Sequence, residues 1–215
     1  MSQSDTPLSS DNGALLRTDE MTPAERYQLL TSLIIPRPIA WISSRSASGH
    51  RNLAPFSYFA VLSPSPMLIG VSISERGAGL KDSAANILET GVFCVNIAAE
   101  RHITAMNTTA GDHPPEVDEF EVAGLTAVEG DLVDVPYVAG CPAVLECRLF
   151  RQVDLAPAQT SFLIGEVVAV HLSPELAFTS GTMLVDPESL TPVARLGGNL
   201  YSLLGEIREV ARPVV

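Results

Sequence analysis

The chain has 215 residues, of which 46% are hydrophobic and 18% charged, a composition typical of a soluble chain with one sizeable core. Its 25 acidic and 13 basic residues give a net charge of −12, which argues against nucleic acid or an anionic membrane surface as a partner. The apolar runs fall far short of the ~20 residues that a membrane-spanning helix needs. The first residues are polar and acidic, unlike a secretory signal, so we expect a cytoplasmic protein.

The N-terminal segment differs in composition from the rest of the chain. Residues 1–20 are rich in Ser, Asp and Gly without periodicity, which predicts a flexible arm ahead of one domain over residues 21–215. Thr22 and Glu25 have the spacing of a capping box, and Pro23 stands at the first helical position. A short helix is therefore predicted to begin here and to end before residue 36.

The remainder of the chain has mainly the pattern of strands separated by turns. Short helices are predicted over 84–90, with Gly91 as C-cap, and over 100–109, followed by a loop over 110–119. Closely spaced strands with short helices between them indicate a mainly β fold, an antiparallel β-barrel decorated by helices, rather than a parallel sheet. The predicted strands are 38–45, 52–62, 67–74, 92–98, 121–129, 143–154, 161–172 and 182–186.

Familiar catalytic and metal-binding motifs are absent from the sequence. The four histidines are far apart and form neither an HExxH motif nor a Cys/His pairing, so no metal is expected. No nucleophile elbow, P-loop or GxGxxG motif occurs. Cys94, Cys141 and Cys147 lie in apolar contexts without a CxxC pair, which predicts buried reduced thiols.

Polar side chains cluster instead in the first hundred residues. Lys81, the only lysine among the 13 basic residues, stands with Asp82 and Ser83 at a predicted helix entrance. A helix N-terminus offers free N–H groups and the positive end of a dipole, so this place suits a phosphate. The alternative is that Asp82 or Ser83 merely caps the helix and that Lys81 is solvated. Polar side chains on the preceding strands complete the cluster: Ser43, Ser44, Asn52, Ser57, Ser72 and Ser74.

Pro55 interrupts the predicted strand 52–62. Because proline removes a hydrogen bond from a sheet, this residue belongs at an edge or a bulge, where backbone groups are free for a ligand. A planar heteroaromatic ring could use such groups. Trp41, the only tryptophan, shares a strand face with Ile39 and Ser43, and core packing is its simplest role.

Several short motifs occur one after another within residues 22–210. The motifs are 35–43 (IPRPIAWIS), 52–59 (NLAPFSYF), 81–83 (KDS), 86–87 (NI), 89–96 (ETGVFCVN), 115–120 (PEVDEF), 145–147 (LEC), 164–167 (IGEV) and 195–198 (RLGG) with Tyr201. In order and spacing they resemble the flavin reductase-like proteins, which bind FMN in a Greek-key split β-barrel.

The resemblance implies a homodimer with one FMN per subunit near the dimer interface. It places residues 52–57 along the isoalloxazine ring and ribityl chain, with backbone groups of Ala54 and Phe56 facing the ring. It assigns the phosphate to residues 81–83 and expects the segment 195–201 to close over the flavin. No side chain is assigned a catalytic role. The implied cofactor-binding residues are Arg37, Trp41, Ser43, Asn52, Ala54, Pro55, Phe56, Ser57, Ser72, Lys81, Asp82, Ser83, Arg195 and Tyr201.

The resemblance also implies an activity. A flavin reductase passes a hydride from NADH or NADPH to FMN and supplies reduced flavin or electrons to a flavin-dependent monooxygenase or another redox partner. Many such proteins carry a histidine in the strand before the IGEV motif, whereas residues 159–162 here read Gln-Thr-Ser-Phe. The alternative is therefore a flavoredoxin-type FMN electron carrier that NAD(P)H does not reduce directly.

Overall fold

The computed structural model describes residues 15–75, 77 and 79–213. The arm predicted for residues 1–20 falls mainly on residues 1–14, which lie outside this part of the chain. The α-helices are α1 (Pro23–Leu33), α2 (Asp82–Thr90), α3 (Ile103–Thr108), α4 (Glu119–Val122) and α5 (Pro187–Leu190), with a 3₁₀ helix at Glu100–His102. The strands are β1 (Arg37–Pro38), β2 (Ala40–Arg45), β3 (Arg51–Phe56), β4 (Phe59–Pro64), β5 (Met67–Ser74), β6 (Val92–Ile97), β7 (Ala127–Glu129), β8 (Pro136–Val138), β9 (Ala143–Asp154), β10 (Thr160–Leu172), β11 (Ala194–Arg195) and β12 (Tyr201–Ser202).

A seven-stranded antiparallel sheet in the order β3-β2-β6-β9-β10-β5-β4 forms the body of the molecule. Its two edge strands, β3 and β4, are consecutive in the chain, and two residues, Ser57 and Tyr58, separate them. A connection this short between opposite edges requires the sheet to curl round on itself. The Tyr58 carbonyl accepts a hydrogen bond of 2.9 Å from the Ser72 N–H of β5 at this closure. The mainly β, antiparallel barrel that the sequence predicts is therefore confirmed.

Two clusters of buried side chains cover the two faces of this sheet. Trp41 and Cys94 belong to one cluster, while their strand neighbours Ile42, Phe93 and Val95 belong to the other. Since successive side chains on a strand point to opposite faces, the clusters lie on opposite sides. The first cluster lies under α3 and α4, and the second lies under α2. The three cysteines are free and buried, as the sequence predicts.

Two of the predicted helix signals, the start of α1 and the end of α2, are confirmed. Thr22 Oγ1 accepts a hydrogen bond from the Glu25 N–H, and the Glu25 carboxylate accepts one from the Thr22 N–H, which completes the capping box of α1. Gly91 ends α2 in the left-handed conformation with φ of +75°, a conformation that favours glycine. The described residues include no helix that is both long and apolar enough to cross a membrane.

Two of the predicted strands are wrong in part or in whole. Residues 121–129 hold the end of α4 and only then the short strand β7, because Asp118 caps a helix by accepting from the Phe120 N–H at 2.9 Å. Residues 182–186 form no strand, and an isolated bridge joins Phe178 to Val185. The strand predicted over 52–62 is divided between β3 and β4.

Candidate functional site

Helix α2 begins at Asp82 and directs its first turn towards a pocket. Lys81 is the N-cap residue, and its side chain makes no capping hydrogen bond within the described part of the chain. The first hydrogen bond of the helix runs from the Ala85 N–H to the Lys81 carbonyl at 3.0 Å. The N–H groups of residues 82–84 therefore have no acceptor within the helix. Asp82 and Ser83 are the first two residues of the helix, so the alternative that either one caps it is wrong.

A buried amide–hydroxyl network, formed by Asn52, Ser44, Ser83 and Asn86, holds this end of α2 against the sheet. Asn52 Nδ2 on β3 donates to Ser83 Oγ at 2.8 Å and to Ser44 Oγ on β2 at 3.3 Å. Asn86 Nδ2, one turn into the helix, donates to the same Ser44 Oγ at 3.1 Å. All four side chains are buried. The network thus fixes the start of α2 directly beside the edge strand β3.

Pro55 lies on an edge strand, as the sequence predicts. Its neighbour Leu53 donates its N–H to Glu119 Oε2 at 3.0 Å, so the backbone polar groups of residues 53 and 55 point away from β2. In an antiparallel pair these directions alternate, so the backbone groups of Ala54 and Phe56 point towards β2. Ala54 and Phe56 still line the pocket. The sequence interpretation left the backbone groups of these two residues free for a ligand, whereas in the structure those groups face β2.

The start of α2, the edge strand β3 and the loop after α3 enclose a cavity of about 80 Å³, here called the α2 pocket. Lys81 Nζ lies 5.7 Å from the centroid of the Phe56 ring on one wall. Glu119 is 5% exposed, and burial raises the pKa of its carboxyl, partly offset by the hydrogen bond from Leu53. The pocket is lined by Asn52, Ala54, Pro55, Phe56, Lys81, Asp82, Ser83, Thr109, Ala110, Gly111, Asp112, His113 and Glu119.

A second cavity of about 210 Å³, here called the Tyr201 pocket, continues from the first. The two share Pro55 and Ala110, so they form one groove along β3. Tyr201 donates its hydroxyl to Asn107 Oδ1 at 3.0 Å, and the Arg195 guanidinium lies 4.6 Å from the centroid of the Tyr201 ring. The pocket is lined by Tyr27, Ile39, Pro55, Ser57, Asn107, Ala110, Arg195 and Tyr201.

A third cavity of about 370 Å³, here called the Ser72 pocket, shares Ser57 with the Tyr201 pocket. Ser72 is half-buried on β5 and forms part of its wall. The remaining walls come from α1, β1 and the connection between β3 and β4. The full lining is Leu30, Thr31, Ile34, Pro36, Arg37, Pro38, Ser57, Tyr58, Phe59 and Ser72.

Arg37 is buried and fully engaged with the protein. Its Nη1 donates to the carbonyls of Thr31 and Ile34, at 3.1 Å for Ile34, and its Nη2 donates to the Leu196 carbonyl at 3.0 Å. Its Nε donates to Ser57 Oγ at 3.2 Å. Arg37 therefore ties α1 and the segment before β12 to the barrel, and it shapes the pockets rather than offering them a free charge.

Trp41 and Ser43 do not line any of the three pockets. Both side chains are completely buried. Trp41 donates its indole N–H to Thr109 Oγ1 at 2.9 Å, and Ser43 Oγ accepts from Asn96 Nδ2 at 3.1 Å. The structure therefore places both side chains in the core, and not in the walls of these pockets where the sequence interpretation expected them. Trp41 acts on the site through Thr109, which does line the α2 pocket.

The other predicted residues are brought together, and the structure adds a wall that the sequence interpretation missed. That wall is the segment from Asn107 to His113, together with Tyr27, Ile39 and Glu119. A polar loop ending at two prolines was visible in the sequence. Nothing local in it indicates that it lies opposite Lys81, because that proximity depends on how α3 packs on the sheet.

Asp131, Glu146 and His171 bring their ligand atoms within 4.8 Å of one another, away from this groove. Glu146 is completely buried and accepts from the N–H groups of residues 131–133 at 2.7–2.9 Å and from His171 Nε2 at 2.5 Å. Burial raises its pKa, but these hydrogen bonds outweigh that effect and leave the pKa below its ordinary value. Both carboxylate oxygens of Glu146 already accept hydrogen bonds from the protein, so these contacts within the fold explain the cluster.

Comparison with known proteins identifies the family. The flavin reductase like domain matches residues 32–189, so the chain belongs to the flavin reductase-like family. An uncharacterized protein of Halalkalibacterium halodurans is 38% identical over 206 residues, which cover 93% of this chain and 97% of that protein.

Two solved structures are similar along nearly their whole length. Nitrilotriacetate monooxygenase component B from Bacillus cereus has a TM-score of 0.87 and 36% identity, with 94% of this chain and 100% of that chain covered. The 2-nitrobenzoate 2-nitroreductase NbaA from Pseudomonas fluorescens has a TM-score of 0.84 and 28% identity, with 93% and 96% covered. The fold is that of the split-barrel flavin reductases.

The buried network predicts a specific effect of Asn52→Ala. The free energy of unfolding should fall by about 1–3 kcal/mol, because the buried Ser83 hydroxyl loses its donor. Amide hydrogen exchange in the first turn of α2 should become faster. Asn199→Ala, which removes an exposed amide from the turn before β12, is the control and should stay within about 0.5 kcal/mol of the parent. Equal stability and exchange in both variants would contradict this role.

Proposed function

We propose that this protein is an NAD(P)H-dependent flavin reductase that binds FMN along the groove formed by the α2 pocket and the Tyr201 pocket. The observation that carries the proposal is the convergence of Lys81 and the uncapped first turn of α2 at one end of a groove bounded by an edge strand. Membership of the flavin reductase-like family supports the same conclusion.

The α2 pocket has the donors that a single phosphate requires. Lys81 supplies a full charge, and residues 82–84 supply N–H groups at the positive end of the helix dipole. The Ser83 hydroxyl accepts from Asn52 and keeps its own proton to donate. The carboxylates of Asp82 and Glu119 line the same small cavity and would repel a second phosphate. These features favour FMN over FAD.

The remainder of the groove suits the ring of a flavin. Edge strand β3 turns the backbone of residues 53 and 55 outwards, and Tyr201 with Arg195 forms the opposite wall. When bound, FMN supplies hydride-accepting chemistry that needs no acid or base from the protein. The chain binds the phosphate, orients the ring and excludes water.

We propose that reduced flavin or electrons pass to a partner such as a flavin-dependent monooxygenase. The similarity to component B of a nitrilotriacetate monooxygenase supports this proposal. One observation favours the second candidate, a flavoredoxin-type electron carrier. Residues 159–162 enter β10 without a histidine, and Ser161 is buried and accepts from Gln152 Nε2 at 3.2 Å. No imidazole is available there to receive a nicotinamide.

The test is NADH and NADPH oxidation by the purified protein, with and without added FMN, together with its visible spectrum. Turnover that rises with added FMN is the expected result. A protein that carries the flavin spectrum but leaves both nicotinamides unoxidised would overturn the reductase and favour the electron carrier. A protein that neither binds flavin nor oxidises nicotinamide would overturn both.

Lys81→Ala is expected to weaken FMN binding without unfolding the barrel. The substitution removes a charged phosphate contact worth about 1.5–3 kcal/mol, so the dissociation constant for FMN should rise at least tenfold in a fluorescence titration. Riboflavin, which lacks the phosphate, should bind the variant as it binds the parent. Lys81→Arg keeps the charge and should retain most of the affinity. An unchanged FMN dissociation constant in Lys81→Ala would refute the phosphate role.

We further propose that the protein is a homodimer with α1 at its interface. Helix α1 buries Thr31, whereas its apolar side chains Tyr27, Leu30 and Leu33 are 63%, 55% and 69% exposed. Clustered apolar exposure of this kind is typical of an interaction surface. Tyr27 and Leu30 also line the Tyr201 and Ser72 pockets. A partner subunit at α1 would therefore lie beside the flavin groove.

Dilution of the protein to the monomer should consequently release FMN, because the groove would lose the partner subunit proposed to lie beside it. Sedimentation followed at the flavin absorbance checks this. Leu33→Glu should shift the equilibrium to the monomer at higher concentration, and the exposed position of Leu33 makes disruption of the monomer itself unexpected. A sedimenting monomer that retains its flavin would refute a site that depends on the partner subunit.

A further inference from the structure

We propose that His113 is a second cationic contact of the FMN phosphate and sustains the affinity for FMN at low pH. This inference rests on the proposed function and adds to it a residue from the opposite wall of the α2 pocket. Lys81 and His113 line the same cavity, one from the start of α2 and the other from the loop after α3. A phosphate held by the first would face the second.

The local geometry holds the His113 ring at the pocket. His113 is half-buried, and its Nε2 lies 3.4 Å from the Thr108 carbonyl, so the ring folds back over its own loop. Gly111 leaves room for this position, because a Cβ there would stand 2.8 Å from His113 Nε2. With one ring nitrogen against a carbonyl, the imidazolium keeps the second N–H for another acceptor.

The charged groups that line the pocket come from three of the elements around it. Lys81 and Asp82 belong to the entrance of α2, Asp112 to the same loop, and Glu119 to α4. Glu119 is in electrostatic contact with His113, whose positive charge acts to lower the pKa of that carboxyl. Three carboxylates and one lysine therefore line the pocket together with His113.

The consequence for binding follows from the charges that histidine side chains and phosphate monoesters carry in general. Histidine is the side chain whose charge ordinarily changes between pH 5 and 8. As the pH falls through about 6, a phosphate monoester loses its second negative charge, so Lys81 alone would bind FMN less well at low pH. A second cationic side chain beside the phosphate would offset that loss. The preference for FMN over riboflavin should therefore persist at low pH only while His113 is present.

The experiment measures dissociation constants for FMN and riboflavin by fluorescence titration at pH 5.5 and 8.5. At pH 5.5 the FMN preference of the parent protein should exceed that of His113→Gln by about five- to tenfold, the effect of one charged hydrogen bond discounted for partial exposure. At pH 8.5 the two should agree. His113→Lys, which carries a permanent charge, should show the high preference at both values.

The control is His50→Gln, which removes an exposed histidine from the turn between β2 and β3. This variant should bind FMN and riboflavin with the same dissociation constants as the parent. Equal FMN preference in the parent and in His113→Gln at pH 5.5 would overturn the role of His113 while leaving the flavin site intact. A parent protein that prefers FMN over riboflavin at neither pH would overturn the phosphate site itself. Circular dichroism of each variant verifies the fold.

Discussion

The groove depends on one buried set of hydrogen bonds, the amide–hydroxyl network of Asn52, Ser44, Ser83 and Asn86. It joins β2, β3 and α2 at a single point. An unpartnered amide or hydroxyl in this position would cost the full desolvation of the group, so the network permits one arrangement of helix and strand. The direction of the α2 dipole and the position of Lys81 follow from that arrangement. Binding chemistry at the surface is thus set by polar groups beneath it.

The edge strand β3 supplies the second constraint. A barrel closed without interruption would use all of its backbone groups in its own ladder. Here β3 and β4 are the edge strands. On the outward side of β3, Pro55 has no N–H group, and the N–H of Leu53 donates to Glu119. Arg37 then holds α1 and the segment before β12 over the same region. The opening of the barrel is therefore bordered by a wall that hydrogen bonds hold in place.

Charge is distributed unevenly around this wall. The chain carries a net charge of −12 and one lysine, and that lysine stands at the entrance of α2. Carboxylates surround it in the α2 pocket, where Glu119 has a raised pKa because it is buried. The positive charge at the entrance of α2 is therefore confined to a small region within an acidic surface. The proposal that the groove takes a ligand with one phosphate rests on this arrangement.

The sequence by itself determined the elements whose signals are local. The capping box at Thr22, the left-handed Gly91 and the edge position of Pro55 each follow from the conformational limits of a few neighbouring residues. The ordered motifs also indicated the family. Local patterns failed over 121–129, where the end of a capped helix and the turn after it precede a strand of only three residues.

The tertiary structure alone decided which residues share the groove. It moved Trp41 and Ser43 into the core, brought His113 and Glu119 opposite Lys81, and turned the backbone of Ala54 away from the ligand side. These outcomes depend on sheet register and on the packing of α3 and α4. Contacts between residues that are distant in sequence form only when the barrel closes, so no local pattern specifies them.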